Sequence, residues 1–411
     1  MASAALHPLS LPPAHRGRSC LGLTAAAAQG QFVLQQCADC TAVQYPPREA
    51  CVRCLSANLS WVSQDAEGTL LSMTTLHHSN EAYFRERLPW RVGLVKLAAG
   101  PSAFVHVHAS VAGAPCPVRV VARVDRSGQA VLIAGSPGEA WNMSEDKLMR
   151  EITFDPAGRT VLVTDGQSET GRALIDALQA AGACVIWAGR RDAAEPLWFA
   201  AGETDTSAEK GTTTGLVRWV RMDVRDQASV SALADRVGPT LDMVLNNSEH
   251  HGPAADGGLA SLSTMQEAVS VNVIGLLRLY QAFGPPFMHR AATCPDRAFP
   301  WVNLLSIHSV AHCPEDGGFS ASKAAALALS QGQRRVMRAS NVRVVHCFPG
   351  PIDEPGRPDS PWPKLSPRAL AGAILHGLAQ GIEDIYPGDV AQDLLARWRA
   401  DPLALQREIG A

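Results

Sequence analysis

At 411 residues, with 46% apolar and 18% charged side chains and a formal net charge of -3 at pH 7, the chain has the composition of a soluble globular protein long enough for two or three domains. The near-neutral balance, without any block of like charge, excludes a binder that relies on an electrostatic field around nucleic acid. No apolar run reaches the roughly 18 residues that a membrane span needs, so neither nucleic acid nor membrane is an expected partner.

The first forty residues are rich in Ala and Pro, carry Arg16 and Arg18, and hold no acid before Asp39. That composition is shared by transit peptides and tails; no cleavage-site pattern stands out, and residues 1–27 are expected to be a disordered tail. Next come Cys37-Ala-Asp-Cys40 and Cys51-Val-Arg-Cys54, two CxxC pairs separated by ten residues. Each pair can turn two thiolates toward one metal, and two such knuckles complete a closed tetrahedral shell, so a structural zinc ribbon is expected over 28–63. The other six cysteines, Cys20, Cys116, Cys184, Cys294, Cys313 and Cys347, are scattered. Scatter argues for a reducing compartment, and the cytoplasm is expected.

Residues 64–136 contain the short runs "TLLSMTTLHH", "VGLVKLA", "AFVHVHASV", "VRVVARV" and "AVLIAG", broken by Gly, Pro and Asn, which predict a small all-β domain. His106 and His108 alternate within one run and are expected on one side of the sheet, as ordinary surface or interface residues. Residues 137–158 are expected to be a linker carrying one short helix capped by Ser144. From Arg159 the pattern changes: "TVLVT", "GRALIDALQAAG", "CVIWAGRR", "LDMVLNN" and "RVVHCFPG" alternate strand and helix. Alternation predicts an α/β, doubly wound parallel sheet over 159–411. Ala201–Gly215 and Ala292–Pro300 interrupt it and are expected to be surface loops.

The first half resembles the zinc-ribbon and OB-fold proteins that accompany thiolases and thiolase-like aldolases. The resemblance rests on Gln36-Cys37, Pro46-Pro47-Arg48, Trp61 and Gly68-Thr69. It implies a zinc ribbon followed by an OB-fold β-barrel, with acyl-CoA chemistry carried out by a thiolase-type partner and this half as an accessory that binds or gates the thioester. The second half resembles the short-chain dehydrogenase/reductase family, with a Rossmann-type fold. Here Gly166 and Gly171 lie in the expected glycine loop, Arg190 and Arg191 follow the second strand where a 2'-phosphate would sit, and Asp223 stands at the adenine position. Asn246 and Asn247 begin the NNAG stretch, Asn272 matches the helix asparagine, Ser306 precedes Phe319 by thirteen residues, Lys323 follows four later, and Pro349-Gly350 matches the Pro-Gly loop.

The departures fall on the chemistry. Asp165 and Glu169 replace two glycines of the phosphate loop, Ser248 and Glu249 replace Ala and Gly, and Glu354 occupies the usual Thr site. One carboxylate about 4 Å from a phosphate charge, at an effective dielectric near 20, opposes binding by about 4 kcal/mol, roughly a thousandfold in affinity. Phe319 stands where the family has its tyrosine, and a positioned general acid contributes about 10²–10⁴-fold. The expectation is a fusion whose dehydrogenase half is degenerate: a non-catalytic accessory or scaffold in acyl-CoA metabolism, docked on a thiolase-type enzyme. The alternative is an atypical NADP-dependent oxidoreductase of a hydroxyacyl- or oxoacyl-CoA, with His250 or His251 supplying the proton. Amphipathic helices near "LSTMQEAVSVNVIGLLRLYQAF" and "FSASKAAALALSQGQRRVM" are expected to pair with a second copy or with an active short-chain dehydrogenase.

Overall fold

The computed structural model describes residues 10–13, 17–138, 141, 146–191, 215–252, 261–313, 316–355, 357, 360 and 362–409. The polar insertion up to residue 214, and Ser144, lie outside them. The chain forms two compact units: Met1–Phe154 with Pro295–Ala298 and Leu378–Glu383, and Asp155–Cys294 with Phe299–Gly377 and Asp384–Ala411.

In the first unit a three-stranded antiparallel ribbon sets β1 (Val33–Cys37) between β2 (Val43–Gln44) and β3 (Leu59–Ser63). The next five strands are β4 (Glu67–Leu76), β5 (Trp90–Leu97), β6 (Ser102–Val107), β7 (Cys116–Val124) and β8 (Ala130–Gly135). They close into a barrel in the order β4-β5-β6-β8-β7, which leaves no open edge. Alternate side chains of β7, Val118, Val120, Ala122 and Val124, point into its core.

Three sequence expectations are corrected in this unit. Residues 21–27 are not a tail: Leu21–Ala28 is a helix whose Leu23, Ala26, Ala27 and Ala28 are buried in the barrel core. The Ala run is a strong helix former, and its small side chains allow close approach; a Cβ on Gly22 would fall 2.0 Å from the Trp61 indole nitrogen. Residues 146–154 carry the expected short helix, but they are packed into the unit rather than forming a linker. The helix Lys147–Arg150 is capped by Asp146, which accepts the Leu148 N–H, and Leu148, Met149 and Ile152 pack with Tyr83, Trp90 and Ile133. Glu151 beside them is buried against Arg87, at 2.5 Å, and Arg126, at 3.3 Å. Finally, His106 and His108 are covered rather than surface groups. His106 lies 3.1 Å from Asp146 and against Trp90, and His108 stacks on Trp141.

Two excursions of the later chain also belong to this unit rather than to the wound sheet. The Ala298 N–H donates to the Arg150 carbonyl at 2.9 Å, the Leu378 carbonyl accepts the Phe154 N–H at 3.0 Å, and the Glu383 N–H donates to the Ala28 carbonyl at 2.8 Å. Part of the expected surface loop Ala292–Pro300 is thus an ordered strut.

The second unit is a seven-stranded parallel sheet among the described residues. Its strands are β9 (Thr160–Val163), β10 (Val185–Arg190), β11 (Leu216–Arg221), β12 (Met243–Asn246), β13 (Phe299–Leu304), β14 (Val342–Cys347) and β15 (Asp384–Ile385). The order is β11-β10-β9-β12-β13-β14-β15. Strand direction of assembly reverses between β9 and β12, and in such sheets ligands bind beyond the carboxyl ends of the strands at that crevice. Burial of β12, β13 and β14 is continuous, as both sheet faces are covered. No helix among the described residues is long and apolar enough to cross a membrane.

Candidate functional site

The thiolate cluster is built from two copies of one turn. In the first the Thr41 N–H returns to the Cys37 carbonyl, and in the second the Leu55 N–H returns to the Cys51 carbonyl. Thr41 and Leu55 both have positive φ, 59° and 64°. The Sγ atoms of Cys37 and Cys54, and those of Cys40 and Cys51, are 3.6 Å apart, and all four lie within 4.8 Å of one another. A zinc–sulfur bond of about 2.3 Å gives a tetrahedron with edges of about 3.8 Å, so the sulfurs fit a single ion. Backbone N–H groups of Cys54 and Arg53 bring the Cys51 thiol down to about 6, in favour of the thiolate. Cys37, Cys40, Cys51 and Cys54 form a structural zinc site, closed by four sulfurs with no ligand position left for water.

In the second unit the loop after β9 leads into the helix Glu169–Ala180. Its tight course explains the surviving glycines: a Cβ on Gly171 would lie 1.9 Å from the Asp165 carbonyl oxygen, and one on Gly166 would lie 2.9 Å from Trp219. The N–H groups that face a phosphate in a dinucleotide fold are already used. Asp165 Oδ1 accepts from Gln167 (3.1 Å) and Ser168 (3.3 Å), the Ser168 hydroxyl accepts from Gly171 (3.0 Å), and Glu354 Oε1 accepts from Thr170 (2.6 Å). Burial pushes the Asp165 carboxyl up despite its own hydrogen bonds.

Of the expected catalytic positions, Phe319 and Lys323 share one helix, which Asn272 reaches through Ser322. The helix Gly317–Arg338 carries Phe319 and Lys323, and the preceding helix widens to π geometry over Val269–Gly275, around Asn272. Yet each polar atom has an internal partner. Lys323, 2% exposed, donates to the Leu304 carbonyl at 2.9 Å and pairs with Glu249 at 2.8 Å. Arg357 contacts the other oxygen of Glu249 and holds Glu354 at 2.8 Å. Burial alone would raise the Glu249 carboxyl, but Arg357 and Lys323 bring it down to about 2. Asn272 accepts the His250 N–H and donates to the His250 carbonyl and to Ser322. Ser306 has a φ of 131°, accepts the His308 N–H and donates to the Pro349 carbonyl at 3.4 Å. The Phe319 ring is covered by His251, centroid to centroid 3.5 Å, and His251 Nδ1 lies 2.9 Å from Asp316.

The remaining expected positions divide between surface and packing. Arg190 and Arg191, with Asp223 and Gly189, border a cavity of about 40 Å³, while Arg191 also borders one of about 450 Å³ that contains Glu249, Glu354 and Arg357 in its wall. Asp223 is tied to Arg225 at 2.7 Å, which lowers its carboxyl. Asn246 turns inward instead, accepting from Thr164 and donating to Asn303 in a buried polar ladder. Gly350 packs against Val390, 3.2 Å from a built Cβ, and the Pro349 carbonyl closes onto the Ile307 N–H.

Residues 24–60 match the family model described as "ChsH2, rubredoxin-like zinc ribbon domain", residues 61–129 "ChsH2, C-terminal OB-fold domain", and residues 159–360 "short chain dehydrogenase". The chain joins a ChsH2-type zinc ribbon and OB-fold to a short-chain dehydrogenase domain. The dehydrogenase domain is similar to an uncharacterized oxidoreductase of Staphylococcus haemolyticus, 27% identical over 231 residues, which is 54% of this chain and 92% of that one. One from Staphylococcus saprophyticus is 24% identical over 230 residues, with 54% and 92% covered. Among solved structures, a short chain dehydrogenase from Burkholderia cenocepacia in complex with NADP is 26% identical, with a TM-score of 0.52 over 62% of this chain and 99% of that one.

Sequence reasoning identified Glu249 and Glu354 only as obstacles. It missed Arg357 altogether, because an arginine in a Pro-rich loop gives no periodic or motif signal. It also missed that Lys323 finds a new anion in Glu249, since the two are far apart in sequence.

Proposed function

We propose that this protein is a non-catalytic accessory subunit of acyl-CoA metabolism, with the dehydrogenase domain retained as a frame. The observation that carries the reading is Phe319, buried under His251 at the position of the family's proton donor, with the neighbouring ammonium of Lys323 spent on Glu249. Hydride transfer needs both a dinucleotide and a proton donor, and here the second is missing while the first meets carboxylates. The ChsH2-type half supports a thiolase-type enzyme as partner and an acyl-CoA thioester as the substrate being handled. Leu94 and Phe104 face each other across β5 and β6, and Phe104 is 65% exposed, an apolar outer barrel face suited to docking. The six cysteines outside the metal cluster are scattered through unrelated stretches of sequence, which supports the cytoplasm as the compartment.

The test is co-expression with thiolase-type enzymes of acyl-CoA breakdown, with size-exclusion chromatography and turnover assays on hydroxyacyl- and oxoacyl-CoA with NADPH and NADH. A stable complex without oxidoreductase turnover is expected; measurable turnover by the isolated chain would sink the reading. The second reading, an atypical NADP-dependent oxidoreductase, draws on Arg190 and Arg191 beside Asp223 and on the His251–Asp316 pair, which puts a titratable group on the Phe319 ring. Pairing of the dehydrogenase domain with itself or with an active relative is favoured by exposed Ile274, Leu329 and Val336 on the two long helices.

A further inference from the structure

Two carboxylates of this chain stand on two cationic features of the dehydrogenase cleft. The first feature is the start of the helix Glu169–Ala180, where N–H groups with no acceptor in a preceding helical turn and the aligned peptide dipoles attract an anion. Glu354 Oε1 sits on it, 2.6 Å from the Thr170 nitrogen. The second is Lys323, buried and paired with Glu249. Arg357 joins the two acids, so the series runs helix N-terminus, Glu354, Arg357, Glu249, Lys323. Side-chain exposures along it are 8%, 12%, 11% and 2% for Glu354, Arg357, Glu249 and Lys323. The acids come from the loops after β14 and β12, and the donors from the first turn of the helix Glu169–Ala180 and from the helix Gly317–Arg338.

We propose that Glu354 and Glu249 are an internal ligand: they take over the charge-balancing role of a bound dinucleotide and keep the cleft ordered without one. The proposal rests on the non-catalytic reading and adds a cause to it. A cofactor normally offsets the repulsion between a buried ammonium and a helix N-terminus that both expect an anion. Here the chain supplies the anions covalently, so they are present at every cofactor concentration. Both acids line the wall of the cavity of about 450 Å³. Both acids also close the site to phosphate, because a dinucleotide would have to displace a carboxylate already bonded to its donor.

The experiment uses the full chain and three probes, NADPH, NADH and inorganic pyrophosphate, each up to about 1 mM, with binding heat and melting temperature as readouts. The wild type should give no heat and no shift. The E249G/E354T variant should melt lower than the wild type, bind a dinucleotide at least about tenfold more tightly, and regain melting temperature when it binds. Should that variant fail to fold, E249Q/E354Q keeps the side-chain shape, removes the charge, and should bind pyrophosphate where the wild type does not. Folded variants that bind no better than the wild type, or a wild type that binds as tightly as they do, overturn the internal ligand. Wild-type binding without turnover would overturn it alone and leave the accessory reading standing, whereas wild-type turnover would remove that reading itself.

Discussion

Removing Glu249 should expose how much of the second unit depends on its buried charges. In Glu249→Ala, Lys323 keeps one neutral partner, the Leu304 carbonyl, and loses its carboxylate at 2.8 Å while remaining 2% exposed. Breaking a buried pair from one side costs about 3–5 kcal/mol, because the remaining charge is left without compensation. The lower end is expected here, since Arg357 still has Glu354. The double variant E249M/K323M removes both charges and fills the space with apolar groups, an exchange that is often neutral or stabilising. It should therefore be more stable than E249A. For a unit with an m-value of about 2–3 kcal/mol/M, a loss of about 3 kcal/mol lowers the urea midpoint by about 1–1.5 M. Hydrogen exchange of peptides from β12 and β13 assigns the transition to this unit. A pH arm checks the sign. The folded Glu249 carboxyl is held at about 2, below its ordinary 4.5. Its contribution is complete above about 4.5 and declines as the pH falls toward about 2, so the gap between wild type and E249A should close over that window. Equal losses in E249A and E249M/K323M at pH 7, or a gap that does not change between pH 4.5 and 2, would refute the argument.

Zinc removal should unfold the ribbon. A strong chelator, or Cys37→Ser, is expected to abolish the protection of β1 and β3 in hydrogen exchange while the parallel sheet stays protected; an intact ribbon without metal would contradict the closed four-sulfur site. Phe319→Tyr restores the missing hydroxyl but not the freed lysine, so no NADPH oxidation with an oxoacyl-CoA should appear, against the roughly 10²–10⁴-fold gain that a positioned acid brings in a competent site. Gly22→Ala would gain up to about 1 kcal/mol at an open helix position, yet the Trp61 indole lies 2.0 Å from the new Cβ, and a loss of about 1–3 kcal/mol is expected from urea unfolding. A gain there would mean that the helix Leu21–Ala28 does not pack as described.

The legibility of this chain follows from the range over which each constraint acts. The ribbon was readable because Cys37, Cys40, Cys51 and Cys54 act through a fixed spacing, and the parallel sheet because runs such as "TVLVT" and "CVIWAGRR" are buried on both faces and must be apolar throughout. Misreadings occurred where composition pointed one way and tertiary contact the other. The Ala run of the helix Leu21–Ala28 carries no polar face, so nothing in its period announced that half of it would enter the barrel core. Residues 146–154 read as a linker because the anchoring partners of Glu151, Arg87 and Arg126, are distant in sequence. The cleft shows the same limit more sharply. Each substitution, Asp165, Glu249, Phe319 or Glu354, was visible singly as a loss, and only the fold shows that two of the acids are partnered with the very groups the losses would have stranded. Lys323 without a tyrosine and a cofactor would be an uncompensated buried charge; Lys323 with Glu249 is part of a satisfied network. An unpaired buried lysine is costly enough to be lost or neutralised, so the acid explains how Lys323 is accommodated as a buried charge beside Phe319.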